Sequence, residues 1–309
     1  MIRYILKRLV YMIPVILATS FIIYMAMNMA GGDPVLMIAP DNTPPEQLQK
    51  MREELGLTAP LPVRYLRYMA GMLRGDLGTS YVTKKDVFKT FMERLPGTLE
   101  LGGMAILIAT VISIPLGIFT AINQNTWKDT LGMILALFGV SMPNFWLGLM
   151  LILLFSLKLH WLPSSGRNGF KSVILPALTV GLGMAALIAR TTRSSMLEVI
   201  RQDYIRTARA KGAPERQVIF RHALGNALIP IITVIGMQVS NVLTGSVLAE
   251  TVFSWPGVAR LIYDSISKRD TPMVTGSIIM CSILMVLVNL IVDIVYAFFD
   301  PRIKTQYTK

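Results

Sequence analysis

The chain has 309 residues, of which 53% are hydrophobic and only 16% are charged. Charged residues make up about a quarter of a typical soluble domain, so this composition excludes an ordinary soluble domain and predicts a membrane protein. The formal net charge of +12 could indicate a nucleic-acid partner, but the basic residues must first be placed relative to the membrane. The single cysteine, Cys281, lies in an apolar run, which excludes a disulfide framework and a cysteine-based metal site.

Six apolar stretches are long enough to cross a bilayer as helices. A hydrocarbon core about 30 Å thick requires about 20 residues of helix. The stretches that reach this length are 9–29, 98–122, 130–157, 173–193, 228–250 and 275–298. The first follows basic residues as in a signal peptide, but its apolar run is about twice the usual length, so we expect a retained span. Pro143 predicts a kink or a break in the third. The sequence thus predicts an all-α polytopic membrane protein with six transmembrane helices.

A longer polar segment, 31–97, separates the first two spans. Within it, "PPEQLQKMREELGL" and "RYLRYMAGMLRG" are typical of short helices joined by turns. Its nine basic and eight acidic residues nearly cancel. We expect this segment to form a small cap on the extracytoplasmic side.

The other basic residues indicate which side of the membrane faces the cytoplasm. Eight lie between 190 and 227, three precede the first span and three lie in the tail 299–309. The two short loops assigned to the opposite side contain six. Since cytoplasmic loops carry the excess of Lys and Arg, we expect both termini and the loop 194–227 in the cytoplasm. Much of the net charge then has a topological cause, which argues against nucleic acid as a partner.

No catalytic site can be assembled from these residues. An intramembrane hydrolase requires a nucleophile with a base, or paired carboxylates, but the two histidines fall on opposite sides and only Asp293 is an acidic residue well inside a span. A proton- or sodium-coupled carrier would more often have several ionisable groups and an inverted repeat, and no clear repeat is found. "GRNGFKS" (166–172) lacks the spacing of a phosphate-binding loop. Energy for active transport would have to arrive from another polypeptide.

The basic loop "YIRTARAKGAPERQVIFRHALGNALIP" (204–230) continues a run of helix formers that begins at 194. Gly212 suits the left-handed position after a helix, and Pro214 suits the first position of the next, so the pattern predicts a helix, a tight turn and a second helix. The expected apolar face consists of Met196, Ile200, Tyr204 and Ala208, and the basic residues that lie mostly elsewhere are Arg201, Arg206, Arg209 and Lys211. Such a hairpin could pass force from a cytosolic partner into the bilayer. Charge alone equally fits a solvated loop held by anionic lipid.

The loop resembles the signature loop of the inner-membrane permeases of ABC importers, specifically the peptide-transporting branch that includes dipeptide and oligopeptide permease B subunits. The general signature places Glu-Ala-Ala before a glycine, with Leu-Pro downstream. The aligned positions are Arg206, Thr207 and Ala208 for the triplet, Gly212 for the glycine, and Ile229 and Pro230 for the end. The departure from Glu is usual in that branch. Likeness covers nearly the whole chain, through "MIRYILKRLVYMIPVI", "GDLGTSY", "LHWLPSSG", "ETVFSWPGVARLIYDSISKRD" and "DIVYAFFDPRI".

The resemblance implies the transmembrane domain of a type I ABC importer in a bacterial or archaeal cell membrane. Its parts would be an N-terminal helix (1–29), an extracytoplasmic helical loop (30–95), a five-helix core (96–298) containing the coupling loop 194–227, and a cytoplasmic tail (299–309). The implied partners are a second homologous permease, two cytosolic subunits that bind ATP and Mg²⁺, an extracytoplasmic peptide-binding protein and membrane lipid. No cofactor is expected in this chain. The residues expected to couple it to an ATPase are Tyr204, Arg206, Thr207, Ala208, Arg209, Ala210, Lys211, Gly212, Ile229 and Pro230.

Polar residues within the third and fifth spans are candidates for the translocation path. Polar groups in a span tend to face protein or water, so they line a cavity or bond between helices. These residues are Ser141, Asn144, Gln238, Asn241 and Thr244.

Two acidic residues near span ends are candidates for a gate or an ion pair. Asp293 lies about five residues from the end of the last span, roughly 7 Å deep at the helical rise. It is interpreted as a structural ion pair, with Arg190 or Arg193, or as a helix cap, with a gate or substrate contact as the alternative. Glu250, at the outer end of the fifth span, either helps to shape an outer gate or packs on the cap.

The sequence therefore predicts a permease subunit, without catalytic activity of its own, of an ATP-driven importer for di- or oligopeptides. Nickel and glutathione stay open as cargoes, because related importers share the loop. The competing class is a stand-alone channel or ion-coupled carrier.

Overall fold

The computed structural model describes residues 2–29, 33–40 and 42–299, and for 2–9, 37, 241, 243–245 and 295–299 it describes the backbone alone. Within these ranges the chain is helical with connecting turns, apart from one isolated antiparallel bridge between Thr79 and Asp86. The first helices are α1 (Ile2–Met29), α2 (Pro34–Ile38), α3 (Pro45–Glu54), α4 (Leu61–Leu73), α5 (Val87–Ile122), α6 (Trp127–Ser141) and α7 (Asn144–Leu151), which continues as the π-helix π1 (Ile152–Lys158). They are followed by α8 (Phe170–Ile200), α9 (Asp203–Ala210), α10 (Glu215–Gln217), the π-helix π2 (Val218–Ala223), α11 (Leu224–Gly245), α12 (Val247–Val252), α13 (Val258–Ser267) and α14 (Thr271–Phe299).

The helices confirm the prediction of an all-α polytopic membrane protein. Five of the described helices are long and apolar enough to cross a bilayer, and α6 with α7 and π1 makes a sixth if that bent pair is one span. The two short helices predicted between the first two spans are α3 and α4.

Pro143 bends the third span more sharply than a kink. The two halves of the pair are inclined by 100°, and Met142 and Pro143 both have extended backbone, with ψ of 132° and 130°. Proline lacks an N–H and disfavours helical geometry in the preceding residue, which explains why the helix ends before it and restarts after it.

The helices extend beyond the apolar stretches that mark them in the sequence. α5 begins at Val87, 11 residues before its predicted start, because the Asp86 carboxylate accepts a hydrogen bond from the N–H of Lys89 at 2.8 Å and caps the helix. The continuous helix predicted over 228–250 is wrong, since α11 ends at Gly245 and α12 starts at Val247. At the junction the Ser246 hydroxyl hydrogen-bonds to the Glu250 carboxylate at 3.1 Å, a local bond that competes with the helical pattern.

The chain divides into two compact units. The first comprises Met1–Thr98 with Pro256–Leu287, and the second comprises Leu99–Trp255 with Val288–Lys309. α5 and α14 contribute residues to both units.

The second unit is built around α8. This helix packs against α6, α7 and α11, and sixteen of its residues are buried, so it is the central helix of the unit. Small residues allow α5 to approach α8 closely: a Cβ atom at Gly181 would lie 2.7 Å from the carbonyl oxygen of Ala105. The Ser113 hydroxyl then donates a hydrogen bond to the carbonyl oxygen of Ala185 at 2.8 Å. These contacts make α5 and α8 a rigid pair on which the functional segments are mounted.

The first unit joins α1, α4 and the start of α14. The ring of Tyr65 on α4 contacts those of Phe21 and Tyr24 on α1, with centroids 5.6 and 5.5 Å apart. The Ser20 and Tyr65 hydroxyls share a hydrogen bond of 3.0 Å. Aromatic and polar contacts therefore fix α4 against the last turns of α1.

Asp270, just before α14, holds the loop that follows α4. Its carboxylate accepts hydrogen bonds from the Ser80 hydroxyl and from the N–H of Tyr81. Beside it lies a small apolar cluster of Leu77, Val87 and Met273.

Candidate functional site

The basic hairpin, defined as residues 201–223, reverses direction at a glycine. Gly212 has φ of +81°, and its N–H bonds to the carbonyl oxygen of Arg209 at 2.9 Å. The N–H of Ala213 bonds to the carbonyl oxygen of Ala208 at 3.2 Å. This pair of bonds is the Schellman arrangement, in which a left-handed residue satisfies the free carbonyls at a helix end. The left-handed position predicted for Gly212 is therefore present.

Two details of the predicted hairpin are wrong. Pro214 precedes the first helical residue, Glu215, and has extended backbone with ψ of 142°, so it occupies the N-cap and not the first helical position. The run 194–211 is also not one helix, because α8 ends at Ile200 and α9 starts at Asp203.

Burial explains the break at 201–202. Met196 on α8 and Ile205 on α9 are both completely buried in the main apolar cluster of the second unit. With about 3.6 residues per turn, positions nine apart in a continuous helix point in opposite directions. The chain therefore bends at Gln202, whose ψ is 149°, and both side chains reach the core.

On α9 the buried residue is Ile205, and Ala208 packs against the same cluster. Three of the four residues predicted for the apolar face, Met196, Ile200 and Ala208, therefore pack in or against the cluster, and Tyr204 is the exception. Tyr204 is 43% exposed. After the turn, Val218, Ile219 and Ala223 of π2 join the same cluster. Hydrogen bonds in a π-helix span five residues where those of an α-helix span four, which brings Val218 and Ala223 toward one face. The hairpin is thus anchored in the core from both of its arms.

The outward surface of the hairpin carries most of the expected coupling residues. The exposed residues are Tyr204, Arg206, Thr207, Arg209, Ala210, Lys211 and Gly212. Their exposure leaves both backbone and basic side chains accessible to another molecule.

An ion pair closes the base of the turn. The Arg209 guanidinium bonds to the two carboxylate oxygens of Glu215 through Nη2 at 2.6 Å and Nε at 3.1 Å. Hydrogen bonding to Glu215 raises the pKa of Arg209 above its already high usual value. By contrast, the Arg206 side chain is 78% exposed, and its contact with the Asp203 carboxylate is 3.8 Å long. The charge of Arg206 is therefore accessible at the surface, whereas the charge of Arg209 is paired with Glu215.

A side-chain hydrogen bond connects α9 to α11. The Asn226 amide donates to the Tyr204 hydroxyl at 2.9 Å. Four residues later, Pro230 has no N–H with which to bond the carbonyl of Asn226. Ile229 and Pro230 are exposed on α11, and Ile229 accepts a bond from the Thr233 hydroxyl at 2.9 Å. Ile229 and Pro230, which align with the end of the family signature, thus lie about one turn after Asn226, the residue through which α11 contacts the hairpin.

A buried ion pair lies beside the start of α6. Arg193 donates from Nε and Nη2 to the two carboxylate oxygens of Asp129, each at 2.7 Å. The Asp129 side chain is only 8% exposed, and the N–H of Asn125 also donates to it at 3.2 Å. Arg193 was predicted as a partner of Asp293, and the structure gives it to Asp129, because two-point contact with a carboxylate satisfies the planar guanidinium. Asp293 is half-buried on α14.

Two of the candidate path residues, Asn144 and Gln238, lie near α8. A cavity of about 200 Å³ lies between α6, α8 and α11, and Gln238, Arg190 and Gly183 are among its lining residues. Gln238 is buried. The Asn144 amide oxygen is 3.3 Å from where a Cβ atom of Gly183 would lie, so Asn144 borders the same region. The structure brings these two predicted residues together and adds Arg190 to them.

The remaining candidates are less directly placed. The exposed Ser141 hydroxyl bonds to the carbonyl oxygen of Leu137 at 2.9 Å, within its own helix. The side chains of Asn241 and Thr244 lie outside the described part of the structure. Glu250 is completely buried. Among the described residues, no group of three or more His, Cys, Asp or Glu side chains could hold a metal ion.

Family models match almost the entire chain. Residues 113–305 match the binding-protein-dependent transport system inner membrane component, and residues 1–102 match the N-terminal region of such membrane components. The chain belongs to this family of inner membrane components.

Similar members of the family are named as permeases for small peptides. The chain is 40% identical to the dipeptide transport system permease protein DppB of Alkalihalophilus pseudofirmus, with 98% of this chain and 100% of that protein covered. It is also 40% identical to the glutathione transport system permease protein GsiC of Salmonella paratyphi A, with 98% and 99% covered. Both likenesses therefore include segment 31–97 as well as the helices that follow it.

Solved transporters share the fold of this inner membrane component. An inward-facing structure of the MetNI methionine ABC transporter matches with a TM-score of 0.60 at 18% identity, covering 69% of this chain and 97% of that one. An amino acid ABC transporter crystallised with histidines matches with a TM-score of 0.51 at 13% identity, covering 70% and 94%.

Several structural residues of the inner membrane component have only weak signals in the sequence. Ile205 is apolar and lies three residues before Ala208 of the predicted face, a helical spacing that could have placed it on the buried side of α9. Asp129 follows the N-cap Thr126 by three residues, a position where an acidic side chain favours a helix start. Its partner Arg193 lies 64 residues later in the chain, where no local sequence pattern indicated the contact.

Proposed function

We propose that the chain is the permease subunit of an ATP-driven importer that translocates di- or oligopeptides delivered by an extracytoplasmic binding protein. Membership of the binding-protein-dependent family and 40% identity to a dipeptide permease support the class and the cargo. The observation that carries the mechanism is the exposed hairpin anchored by buried Ile205 and Val218.

The hairpin lies in the cytoplasm in this proposal, as do both termini. The excess of basic residues in the segments on that side supports the assignment. The segment 30–95 then forms an extracytoplasmic cap, the five-helix core covers 96–298 and the tail 299–309 is cytoplasmic. The cell membrane of a bacterium or archaeon is the proposed location.

The hairpin passes work from a cytosolic ATPase into the membrane. Two such subunits bind ATP and Mg²⁺, and one of them receives α9 and the turn at Gly212. Because Ile205 and Val218 are embedded in the same cluster as α8, a displacement of α9 moves that cluster and is not lost as local bending. A second homologous permease completes the pathway. ATP binding then turns the cavity between the permeases outward, and hydrolysis returns it inward.

The path through this subunit follows the polar residues near the α6–α8 junction. Asn144 and Gln238 border the same region. Ser141, Asn241 and Thr244 are assigned to the path by their positions on α6 and α11. We assign Glu250 and Asp293 to the gate or to ion pairs that support it.

Transport assays distinguish peptide cargo from the alternatives. The complex would be reconstituted in liposomes with its second permease, ATPases and binding protein, and uptake of a radiolabelled dipeptide, glutathione and Ni²⁺ would be measured with and without ATP. We expect ATP-dependent dipeptide uptake. Glutathione is the second candidate, because the chain is 40% identical to a glutathione permease. Uptake by the isolated chain, indifferent to ATP, would instead establish a channel or ion-coupled carrier.

Arg206→Glu should weaken binding of the ATPase subunit without unfolding the permease. Its side chain is 78% exposed and makes only the 3.8 Å contact with Asp203, so reversing its charge disturbs little within the chain. We expect at least about a fivefold increase in the dissociation constant, measured with the purified subunits.

The matched control is Arg94→Glu, the same reversal at an exposed arginine on α5, outside the hairpin. Reversing Arg209 as well would be harder to interpret, because it would place two carboxylates side by side at Glu215. Unchanged affinity in Arg206→Glu would contradict a basic docking surface.

A further inference from the structure

A cavity lies within the first unit. It has a volume of about 160 Å³ and is bordered by α1, by the turn between α3 and α4, by α4, by the loop after α4 and by the first two turns of α14. Since a cavity needs only about 10–15 Å³ of such volume for one water, this one has room for a solute of several heavy atoms.

The lining of this cavity is basic and rich in hydroxyl groups. Arg64 and Arg67 project from α4 at a spacing of three residues, and among the residues that the structure describes no acidic one lines the cavity. Neither guanidinium forms an ion pair with any residue that the structure describes. Arg64 interacts with the phenol groups of Tyr24 and Tyr81. Two positive charges therefore face the cavity without a carboxylate to balance them.

Two buried hydroxyls at the cavity lack partners. The Thr275 side chain is 1% exposed, and neither its hydroxyl nor that of Tyr68 has a hydrogen-bond partner among the described residues. Leaving a buried hydroxyl unbonded costs free energy, so each requires a water or a ligand. Both residues line the cavity, which makes its contents the available partner.

The surrounding groups favour an anion over a neutral solute. Burial raises the pKa of Tyr68, and it raises that of Tyr81 to about 12, so both phenols are protonated donors at neutral pH. The N-terminus of the long helix α14 borders the cavity at Thr271 and contributes partial positive charge. The neighbouring Asp270 carboxylate is already engaged by Ser80 and by the N–H of Tyr81.

A second cavity, of about 280 Å³, shares Arg64 and Thr271 with the first. It is lined by Arg52 and Arg269 as well, and by Asp33, whose carboxylate is paired with Arg52 at 2.6 Å. A ligand whose charged end occupies the first cavity could extend its remainder toward the second.

We propose that this cavity binds a carboxylate, held by Arg64 and Arg67 and hydrogen-bonded by the hydroxyls of Tyr68 and Thr275. The carboxylate belongs either to a free small acid or to the C-terminus of a short peptide. The site stands independently of ATP-driven transport, because it needs only residues of the first unit.

Binding is tested with the purified full-length chain in lipid nanodiscs, by NMR line broadening of ¹³C-labelled acetate. Acetamide serves as the neutral probe of similar shape. We expect acetate to bind and acetamide not to bind. Arg67→Gln and Thr275→Val should each raise the dissociation constant of acetate about tenfold, since they remove a charged and a neutral donor from the same site.

The matched control is Arg74→Gln, which removes an exposed arginine at the end of α4 that does not line the cavity. Melting temperatures verify that all three variants fold. Equal binding of acetate and acetamide, equal effects of Arg67→Gln and Arg74→Gln, or no acetate binding at all would overturn the proposal, the last showing that the cavity holds water only.

Two further probes identify the source of the carboxylate. Glycylglycine that binds more tightly than acetate, together with C-amidated glycylglycine that does not bind, would indicate a peptide C-terminus. Acetate binding without glycylglycine binding would indicate a free small acid. Either result supports the carboxylate site, and neither depends on whether the reconstituted complex transports peptides.

Discussion

Gly212→Val should abolish most of the coupling between ATP hydrolysis and uptake while the subunit still inserts and assembles. The residue has φ of +81°, where a side chain with a Cβ atom loses about 1–2 kcal/mol and a β-branched one is a clear outlier. Such a strain lowers the equilibrium constant for forming the turn by a factor of about 5 to 30. Uptake per ATP hydrolysed in the reconstituted complex measures the effect, and we expect it to fall by a similar factor.

The structure supplies a sharp control at the same position. Apart from Gly212 and its two neighbours in the chain, no described residue has an atom within 4 Å of where a Cβ atom at Gly212 would be, so the penalty comes from the backbone and not from a clash. Gly212→Asn should therefore retain most of the coupling, because Asn tolerates the left-handed region. If valine and asparagine reduce coupling equally, the turn acts through contact with a partner and not through its conformation.

Asp129→Ala should cause the largest loss of stability among single changes near the hairpin. It would leave the Arg193 guanidinium without the carboxylate that now binds it at two points. Removing one partner of a fully buried pair costs about 3–5 kcal/mol. Because Arg193 is 26% exposed and can reach solvent, we expect a decrease of about 2–3 kcal/mol in the free energy of unfolding. Unfolding in mild detergent, followed by tryptophan fluorescence, measures it.

A double variant shows whether the unpaired charge is the cause. Asp129→Leu combined with Arg193→Met replaces the pair by apolar side chains and should recover most of the loss. Glu100→Gln is the comparison at the surface. It breaks the ion pair between Glu100 and Arg167, whose side chains are 35% and 38% exposed respectively, and should lower the free energy of unfolding by at most about 1 kcal/mol. Equal losses at Asp129 and Glu100 would mean that burial does not strengthen the Asp129 pair.

The sequence was sufficient for the features that depend on composition and local conformation. Apolar length gave the helices of the membrane region, Pro143 gave the break in the third span, and Gly212 gave the left-handed turn. Each follows from a property of one residue type or one continuous stretch. The helix ends were less accurate, because hydropathy reports where a helix is apolar and not where its hydrogen bonds stop, as the early start of α5 shows.

The sequence was not sufficient to predict which residues are buried or paired when this depends on contacts between distant parts of the chain. Tyr204 and Ile205 are adjacent, and only packing against the core determines which of them is buried. Arg193 was considered only as a partner of Asp293, and its pairing with Asp129 depends on how α6 meets α8. The cavity at Thr275 unites residues from five segments, so no local pattern could have predicted it.

The ion pair between Arg209 and Glu215 also affects how binding between the permease and the ATPase subunit would depend on ionic strength. Since Glu215 neutralises Arg209 within the chain, fewer uncompensated charges face the partner than a count of arginines implies. Electrostatic attraction between exposed charges is screened beyond about 8 Å in physiological salt. Association of the two subunits should therefore weaken less with added salt than the number of arginines in the hairpin implies, and the salt-dependent part of its affinity would come from exposed basic side chains such as Arg206.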